Sequence, residues 1–297
     1  MSDNSSIISN ISNKSKIIGK KKKGNKEKKE MYAIKKVIQN TKNIIEPWEH
    51  IFNSLNYNYN ENLLISSTQL KNARKTWEGV DNQFEPRLLA YQPSLSSRPE
   101  IFKKKDLYIL PVKNGEYTII KDNIYMELDY IYDEKEIIQI KKHTESLILN
   151  IGCSESSNID NLRYSGVFER PEILNESILY GSLLNGRHRC SFDFELNNII
   201  YRVKGVQYET DACYESKNKI LIIEAKSTDK VIDSFNIRQL YYPFRTIYDN
   251  TKGKKEIVCL FIHILNDICY IWKYTFKNPI KMDSIKLVGH YAYSLKD

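Results

Sequence analysis

A chain of 297 residues, 41% of them hydrophobic, can hold one large domain or two modest ones around a sizeable core. Its formal net charge is +8, and nine Lys against three acidic residues put about +6 of that in residues 1–30, so any nucleic-acid surface on the mildly basic remainder must be local. Cys153, Cys190, Cys213, Cys259 and Cys269 form no CxxC pair, no run approaches the roughly 18 apolar residues of a membrane span, and the N-terminus lacks an apolar signal-peptide core; these features argue against a disulfide framework, a zinc site, a membrane protein and a secreted one, and an intracellular, cytoplasmic chain is expected.

Residues 1–30 are dominated by Ser, Asn and Lys and are expected to be a disordered basic tail. The run KKKKGNKEKK reads either as a solvated tail or as a DNA-contacting arm or nuclear-localisation signal, the last making the compartment nuclear. Residues 31–150 are expected to form an N-terminal α+β region. Trp48, Ile51, Phe52 and Leu55 recur at helical spacing within 31–57. In ISSTQLKNARKTW (65–77), Ser67 or Thr68 serves as cap before Leu70, Ala73 and Trp77. SSRPEIFKKKD (96–106) reads as a short helix with Pro99 near its first turn. LYILPVKNGEYTIIK (107–121) is a hairpin turning at Asn114-Gly115. Short helices followed by a hairpin are compatible with a winged-helix-like DNA-recognition module, although many small α+β modules share the pattern.

Residues 151–297 are expected to be a second domain. The segment 159–184 reads as helix broken near Gly166 and Pro171. HRCSFDFEL alternates Cys190, Phe192 and Phe194 with polar residues, as a strand does. DSFNIRQLYYPFRTIYD (233–249) places Ile237, Leu240, Tyr241, Phe244 and Ile247 on one helical face, with Pro243 kinking the helix or marking its start. EIVCLFIHILNDICYIWKYTF (256–276) is two apolar strands around Asn266-Asp267, with His263 a core histidine. The expected fold is mixed α+β or α/β: a mixed sheet flanked by helices.

Within DACYESKNKILIIEAKS, a buried-looking Ile/Leu strand suddenly carries Glu224 and Lys226. If residues 201–227 turn at Lys217-Asn218, paired positions sum to 435. Asp211 then faces Glu224, and Glu209 faces Lys226. The period of two also puts Gln207, Glu209 and Asp211 on the face that carries Glu224 and Lys226. Carboxylates on directly opposed positions, with Cβ atoms roughly 4.5–5.5 Å apart, repel unless a cation lies between them. A hard cation such as Mg²⁺ would find oxygen ligands in Asp211, Glu224 and the Ala225 backbone carbonyl. Lys226 could then orient a metal-bound water and stabilise charge on a phosphate. The alternative is an ion-pair cluster on the solvent face of a half-exposed sheet.

The spaced residues Asp211, Glu224, Ala225 and Lys226 resemble the PD-(D/E)XK nuclease signature. VQYETDACYES…ILIIEAKS followed by QLYYPFR, together with FEPRLLAYQ…SRPEIFKKKDLYILPVKNGEYTII, is similar to a group of type II restriction endonucleases of that superfamily, over roughly residues 45–297. The resemblance implies a restriction-endonuclease-like core, Mg²⁺-dependent hydrolysis of double-stranded DNA and recognition of a short specific sequence. It matches Asp211 and Glu224 to metal ligands and Lys226 to the catalytic lysine. It further implies an acidic residue on a preceding helix, for which Glu155 is the candidate, and makes Gln207, Glu209 and Gln239 neighbours of the centre. Thr210 stands where the family pattern has proline before the aspartate. A homodimer reading a palindrome, and a cognate methyltransferase encoded nearby, are the expected partners. A repair or recombination nuclease on the same core, and a non-catalytic DNA-binding protein with a nuclease-like fold, are the alternatives. Arg187 and Arg189, beside a glycine turn, and Lys71, Arg74 and Lys75, on the 65–77 helix, read either as DNA contacts or as solvated charges.

Overall fold

The computed structural model describes residues 45–79, 84–142, 154–184 and 186–296. The expected tail, residues 1–30, and the first part of the helix expected within 31–57 lie outside them. The chain divides into two compact units, one running to Asn58 and including Ser67–Tyr91, the other made of Tyr59–Ser66 and Gln92 onward.

The first unit contains helices α1 (Pro47–Ser54), α2 (Ser67–Arg74) and α3 (Pro86–Ala90). Pro47 sits in the first turn of α1, where its missing N–H costs nothing. Trp48, Ile51 and Phe52 are buried, as their spacing predicts, and the Trp48 indole N–H donates to the Leu89 carbonyl at 3.1 Å. Helix α2 begins at Ser67 and buries Leu70 and Ala73, but it stops at Arg74. Trp77 therefore packs from the following turn and donates to the Ile45 carbonyl at 3.1 Å.

The second unit is a mixed α+β assembly. In chain order its elements are β1 (Leu63–Ser66), α4 (Glu100–Lys105), β2 (Tyr108–Lys113), β3 (Glu116–Ile120), β4 (Tyr125–Glu127) and β5 (Ile137–Lys141). Next come α5 (Glu155–Tyr164), β6 (Ile178–Gly181), β7 (Gly186–Leu196), β8 (Ile199–Thr210), β9 (Ala212–Ser216) and β10 (Lys219–Ser227). The last are β11 (Ser234–Asn236), α6 (Arg238–Thr251), β12 (Glu256–Leu265), β13 (Ile268–Phe276) and β14 (Ile285–Lys296). A five-stranded sheet has the order β1-β3-β2-β8-β7, a seven-stranded sheet the order β5-β14-β13-β12-β10-β9-β6, and β4 pairs with β11. Strands β10 and β12 are parallel and joined through α6, whereas β12, β13 and β14 form an antiparallel meander.

Turn chemistry explains the hairpins. Gly115 takes φ 74° between β2 and β3, and Asn266 and Asp267 take φ 51° and 62° between β12 and β13. Both are the expected turns, and both use the left-handed backbone that two-residue hairpin loops demand. Residues 178–181 depart from the helical expectation. Ile178, Tyr180 and Gly181 pair with β9, so this apolar stretch is an edge strand of the seven-stranded sheet. The expected division at residue 150 is not where the compact units part: β2 pairs with β8, β5 with β14 and β4 with β11, knitting residues 108–141 into the strands that follow.

Strand β10 is buried on both faces, which is why it reads as an uninterrupted apolar run. Its even positions Ile220 and Ile222 share a core with Leu240, Tyr241, Tyr242 and Phe244 of α6. Its odd positions Leu221, Ile223 and Ala225 pack with Ile159 and Leu162 of α5. Each fully buried Ile or Leu contributes roughly 1.5–3 kcal/mol. That driving force carries Glu224, the next residue on the even side, into a buried position. Pro243 lies inside α6 rather than at its start, and β7 lays Phe192 and Phe194 against Tyr241 and Tyr242 of that helix.

Candidate functional site

The β9–β10 hairpin has the register expected from the sequence: Glu215 pairs with Ile220, Tyr214 with Leu221, Cys213 with Ile222 and Ala212 with Ile223. Its turn is made differently. Neither Lys217 nor Asn218 is left-handed; instead the Glu176 carboxylate accepts hydrogen bonds from the Ser216 hydroxyl (2.6 Å) and the Asn218 N–H (2.9 Å).

The chain bends at Asp211, between β8 and β9. There the Asp211 N–H donates to the Ile223 carbonyl at 3.2 Å, and the Asp211 carboxylate accepts the Ala225 N–H at 2.7 Å. Glu224 and Lys226 leave β10 on one side, two residues apart. The Lys226 ammonium donates to Glu224 Oε1 and to the Ala225 carbonyl, each at 2.7 Å, and stands 4.0 Å from Asp211 Oδ2. It also stands 3.9 Å from Oε1 of Glu155, the first residue of α5, whose helix is capped by Ser154. The Gln239 side-chain amide donates to the same Glu224 oxygen. Three carboxylates, one backbone carbonyl, one ammonium and one amide thus converge at the end of β10. Glu224 is 8% exposed, while the Asp211 and Glu155 side chains are 27% and 39% exposed, so the cluster opens to solvent on the Asp211–Glu155 side.

The electrostatics are unbalanced. Three carboxylates against one ammonium leave a formal charge of −2. Burial above all, with the charges of Asp211 and Glu155, raises the Glu224 carboxyl against the pull of Lys226, to about 7. Burial works against the charged form of Lys226, but Glu224, Asp211 and Glu155 together hold its ammonium above the usual lysine range. Near neutral pH the Glu224 carboxyl therefore stands close to taking up a proton.

Among the described residues, no group of three or more His, Cys, Asp and Glu side chains is gathered tightly enough to hold a metal ion. The Lys226 ammonium stands between the carboxylates, on the same Glu224 oxygen and Ala225 carbonyl that a metal would use. The donor set itself is all oxygen, with a surplus of two negative charges, which is the chemistry a hard divalent ion such as Mg²⁺ would need.

Of the other expected site residues, those in the second unit lie apart from this cluster. Gln207 and Glu209 were expected on the Lys226 face. The bend at Asp211 instead sends β8 into the five-stranded sheet, where Glu209 pairs with Arg187 at 2.8 Å and accepts from Gln207 at 3.1 Å. Arg189 donates to the Gly205 carbonyl at 3.0 Å; both arginines are exposed. Lys71, Arg74 and Lys75 are exposed at the end of α2, in the first unit.

Two supports, Asn158 and Tyr130, were missed by sequence reasoning, whereas His263 was expected as a core histidine. Asn158 donates to the Ser227 hydroxyl at 3.3 Å and so ties α5 to the end of β10; its place three residues after Glu155, on the same helix face, was the available signal. His263, the partner of Lys226 in the parallel register, is fully buried between the Tyr130 hydroxyl (2.7 Å) and the Thr228 hydroxyl (3.0 Å). No sequence pattern pointed to Tyr130.

Two family models match the chain. One, described as Domain of unknown function (DUF6997), covers residues 120–294 and thus every residue of the cluster. The other, described as Domain of unknown function (DUF6996), covers residues 45–119. No curated protein matches. Among solved structures, the crystal structure of SSO0001 matches at 12% identity over 47% of this chain and 51% of that chain, about half its length, with a TM-score of 0.16. So low a score carries no argument about the fold. No helix among the described residues is long and apolar enough to cross a membrane.

Proposed function

The chain belongs to the DUF6997 family of domains of unknown function, and we propose that it is a Mg²⁺-dependent nuclease cutting double-stranded DNA at a short specific sequence. The observation that carries this reading is the convergence of Asp211, Glu224, Glu155, the Ala225 carbonyl and Lys226 at the exposed end of one buried strand. A mixed sheet with helices on both faces of β10 is in keeping with a restriction-endonuclease-like core, and the QLYYP segment lies in α6, where Gln239 reaches Glu224.

In this reading Asp211, Glu224 and the Ala225 carbonyl would hold the cation, and Glu155 would add a further carboxylate. A divalent ion held there would supply the Lewis acidity that phosphodiester hydrolysis needs. Gln239 fixes the Glu224 carboxylate, and the Ala225 N–H fixes that of Asp211. Lys226, released from Glu224, orients the attacking water and offsets the charge that gathers on the phosphate. Water adds to phosphorus, one bridging P–O bond breaks, and the departing oxygen takes a proton. A homodimer cutting both strands, and a methyltransferase that protects the host site, belong to the same proposal.

A second reading has its own observation: the ammonium already satisfies Glu224 and Ala225, as a structural ion pair would. The surplus charge of the cluster and the raised Glu224 weigh against it. The test is incubation with plasmid DNA and Mg²⁺. Discrete fragments, absent with Lys226→Ala, support a site-specific enzyme. Unspecific degradation points to a repair or recombination nuclease on the same core. DNA binding without cleavage under Mg²⁺ or Mn²⁺ points to a non-catalytic DNA-binding protein, and neither cleavage nor cation binding leaves the structural ion pair.

A further inference from the structure

From Glu224 onward, β10 loses its strand partner on one side. Its pairing with β9 ends where Ile223 meets Ala212, because the chain bends away at Asp211, whereas its pairing with β12 runs on to Ser227. Glu224 and Lys226 therefore lie in a one-sided ladder, and side chains fasten its free side and its end. The Asp211 carboxylate accepts the Ala225 N–H, Asn158 of α5 donates to the Ser227 hydroxyl, and the Thr228 hydroxyl stands 3.0 Å from Nε2 of His263 in β12.

The contact at Thr228 ends a chain of hydrogen bonds that runs in one direction. The Thr228 hydroxyl gives its single proton to the Lys230 carbonyl at 2.8 Å, so toward His263 its oxygen accepts and Nε2 carries the proton. Burial keeps the ring neutral near neutral pH, which makes Nδ1 an acceptor. The Tyr130 hydroxyl donates to it at 2.7 Å rather than to the Ile232 carbonyl at 3.2 Å, and the Tyr130 oxygen in turn accepts the Ile232 N–H at 3.2 Å. Tyr130 is itself set edge-on against Tyr270 and Trp272, with ring centroids 4.8 and 5.1 Å away. The fully buried imidazole of His263 thus fastens both ends of the 228–232 loop, whose middle residues Asp229, Lys230 and Val231 are exposed.

We infer that His263 is a positioning residue: through Thr228 it fixes the end of β10 from which Lys226 reaches the attacking water. This rests on the reading of the cluster as a phosphodiester site. Lys226 and Thr228 leave the chain two residues apart, on the same side, and His263 is the β12 partner of Lys226. Slack in a one-sided ladder would carry through to the ammonium, and a misplacement of about 1 Å at a reacting group can cost about 100-fold in rate.

Thr228 is exposed, so it can be changed without disturbing the core. Thr228→Val keeps the shape of the side chain and leaves the Nε2–H without its acceptor. In cleavage of supercoiled plasmid with Mg²⁺ and enzyme in excess, its maximal rate should fall at least about tenfold, about 1.4 kcal/mol of barrier, with the half-saturating enzyme concentration within about twofold of wild type. Thr228→Ser, which restores the acceptor, should recover the rate to within about twofold. A contact that served stability alone would lower the urea midpoint of Thr228→Val and leave the maximal rate of the folded protein unchanged. Imidazole nitrogen shifts of the wild type, read by NMR in EDTA, should report the Nε2–H tautomer. The inference is overturned if the ring is the Nδ1–H tautomer, if Thr228→Val cuts as fast as wild type, or if Thr228→Ser cuts no faster than Thr228→Val. A wild type that cuts no plasmid under Mg²⁺ or Mn²⁺ brings down the reading of the cluster, and this role with it, even where the tautomer is the one expected.

Discussion

Replacing Lys226 with Met puts the cation-site reading at its most exposed. The ammonium lies 2.7 Å from Glu224 Oε1. At an effective dielectric of about 20, unit charges at that spacing attract by roughly 6 kcal/mol. Removing the ammonium also removes the cost of burying it, so the expected net loss on breaking such a pair is about 3 kcal/mol. Methionine keeps the apolar stem and leaves three carboxylates around the Ala225 carbonyl, a formal charge of −3. A divalent cation then faces no resident competitor, and at a concentration near 100 times its Kd it returns about 2.7 kcal/mol. Urea unfolding followed by circular dichroism should therefore show Lys226→Met well below wild type in EDTA and largely restored by Mg²⁺, with a larger Mg²⁺ response than wild type. Adding Asp211→Asn should erase that response. If Lys226→Met matches wild type in EDTA, or if its Mg²⁺ response survives Asp211→Asn, the cluster is not a cation site.

Gln239→Leu takes one donor from Glu224. Plasmid cleavage should fall by about tenfold, a loss of about 1.4 kcal/mol, and its pH profile should move to higher pH as Glu224 holds its proton more tightly. Burial holds His263 down at about 4, against 6.5. The unfolded chain therefore takes up this proton first as pH falls below 6.5, and the stability so lost reaches about 3 kcal/mol once pH passes below the folded value. Urea midpoints measured at pH 7 and pH 4.5 should differ less in His263→Gln than in wild type. Glu176→Ala unlatches the turn at 217–218. Its thermal midpoint should drop by on the order of a few °C, with the largest gain in amide exchange at Asn218 and Lys219.

The cluster was legible because it is built from a local device. A two-residue connection at 217–218 sets the β9–β10 register whatever makes the turn, and that register brings Asp211 back onto β10. Glu155 and Gln239 followed from the resemblance, and each reaches Lys226 or Glu224. Gln207 and Glu209 were expected at the cluster too but do not reach it, because period-two reasoning assumes one straight strand and the chain turns out of one sheet and into another at Asp211. Residues 178–181 were misread because an apolar run flanked by polar residues fits a short strand as well as a helix end; pairing with β9 decides it, and such a distant partner leaves no local trace. For the same reason β4, β5 and β11 were invisible: each exists through a partner at least 100 residues away.

Asp211 joins two hydrogen-bonded ladders. Its N-terminal neighbours belong to one sheet and its C-terminal neighbours to the other, and it is pinned to β10 by one backbone and one side-chain bond. The position of this carboxylate is therefore set by both ladders at once, with β7 and β8 held in turn against α6. Alanine at position 211 would thus unclip a mechanical joint as well as delete a charge. Asparagine, which can still accept the Ala225 N–H, removes the charge and leaves the joint fastened.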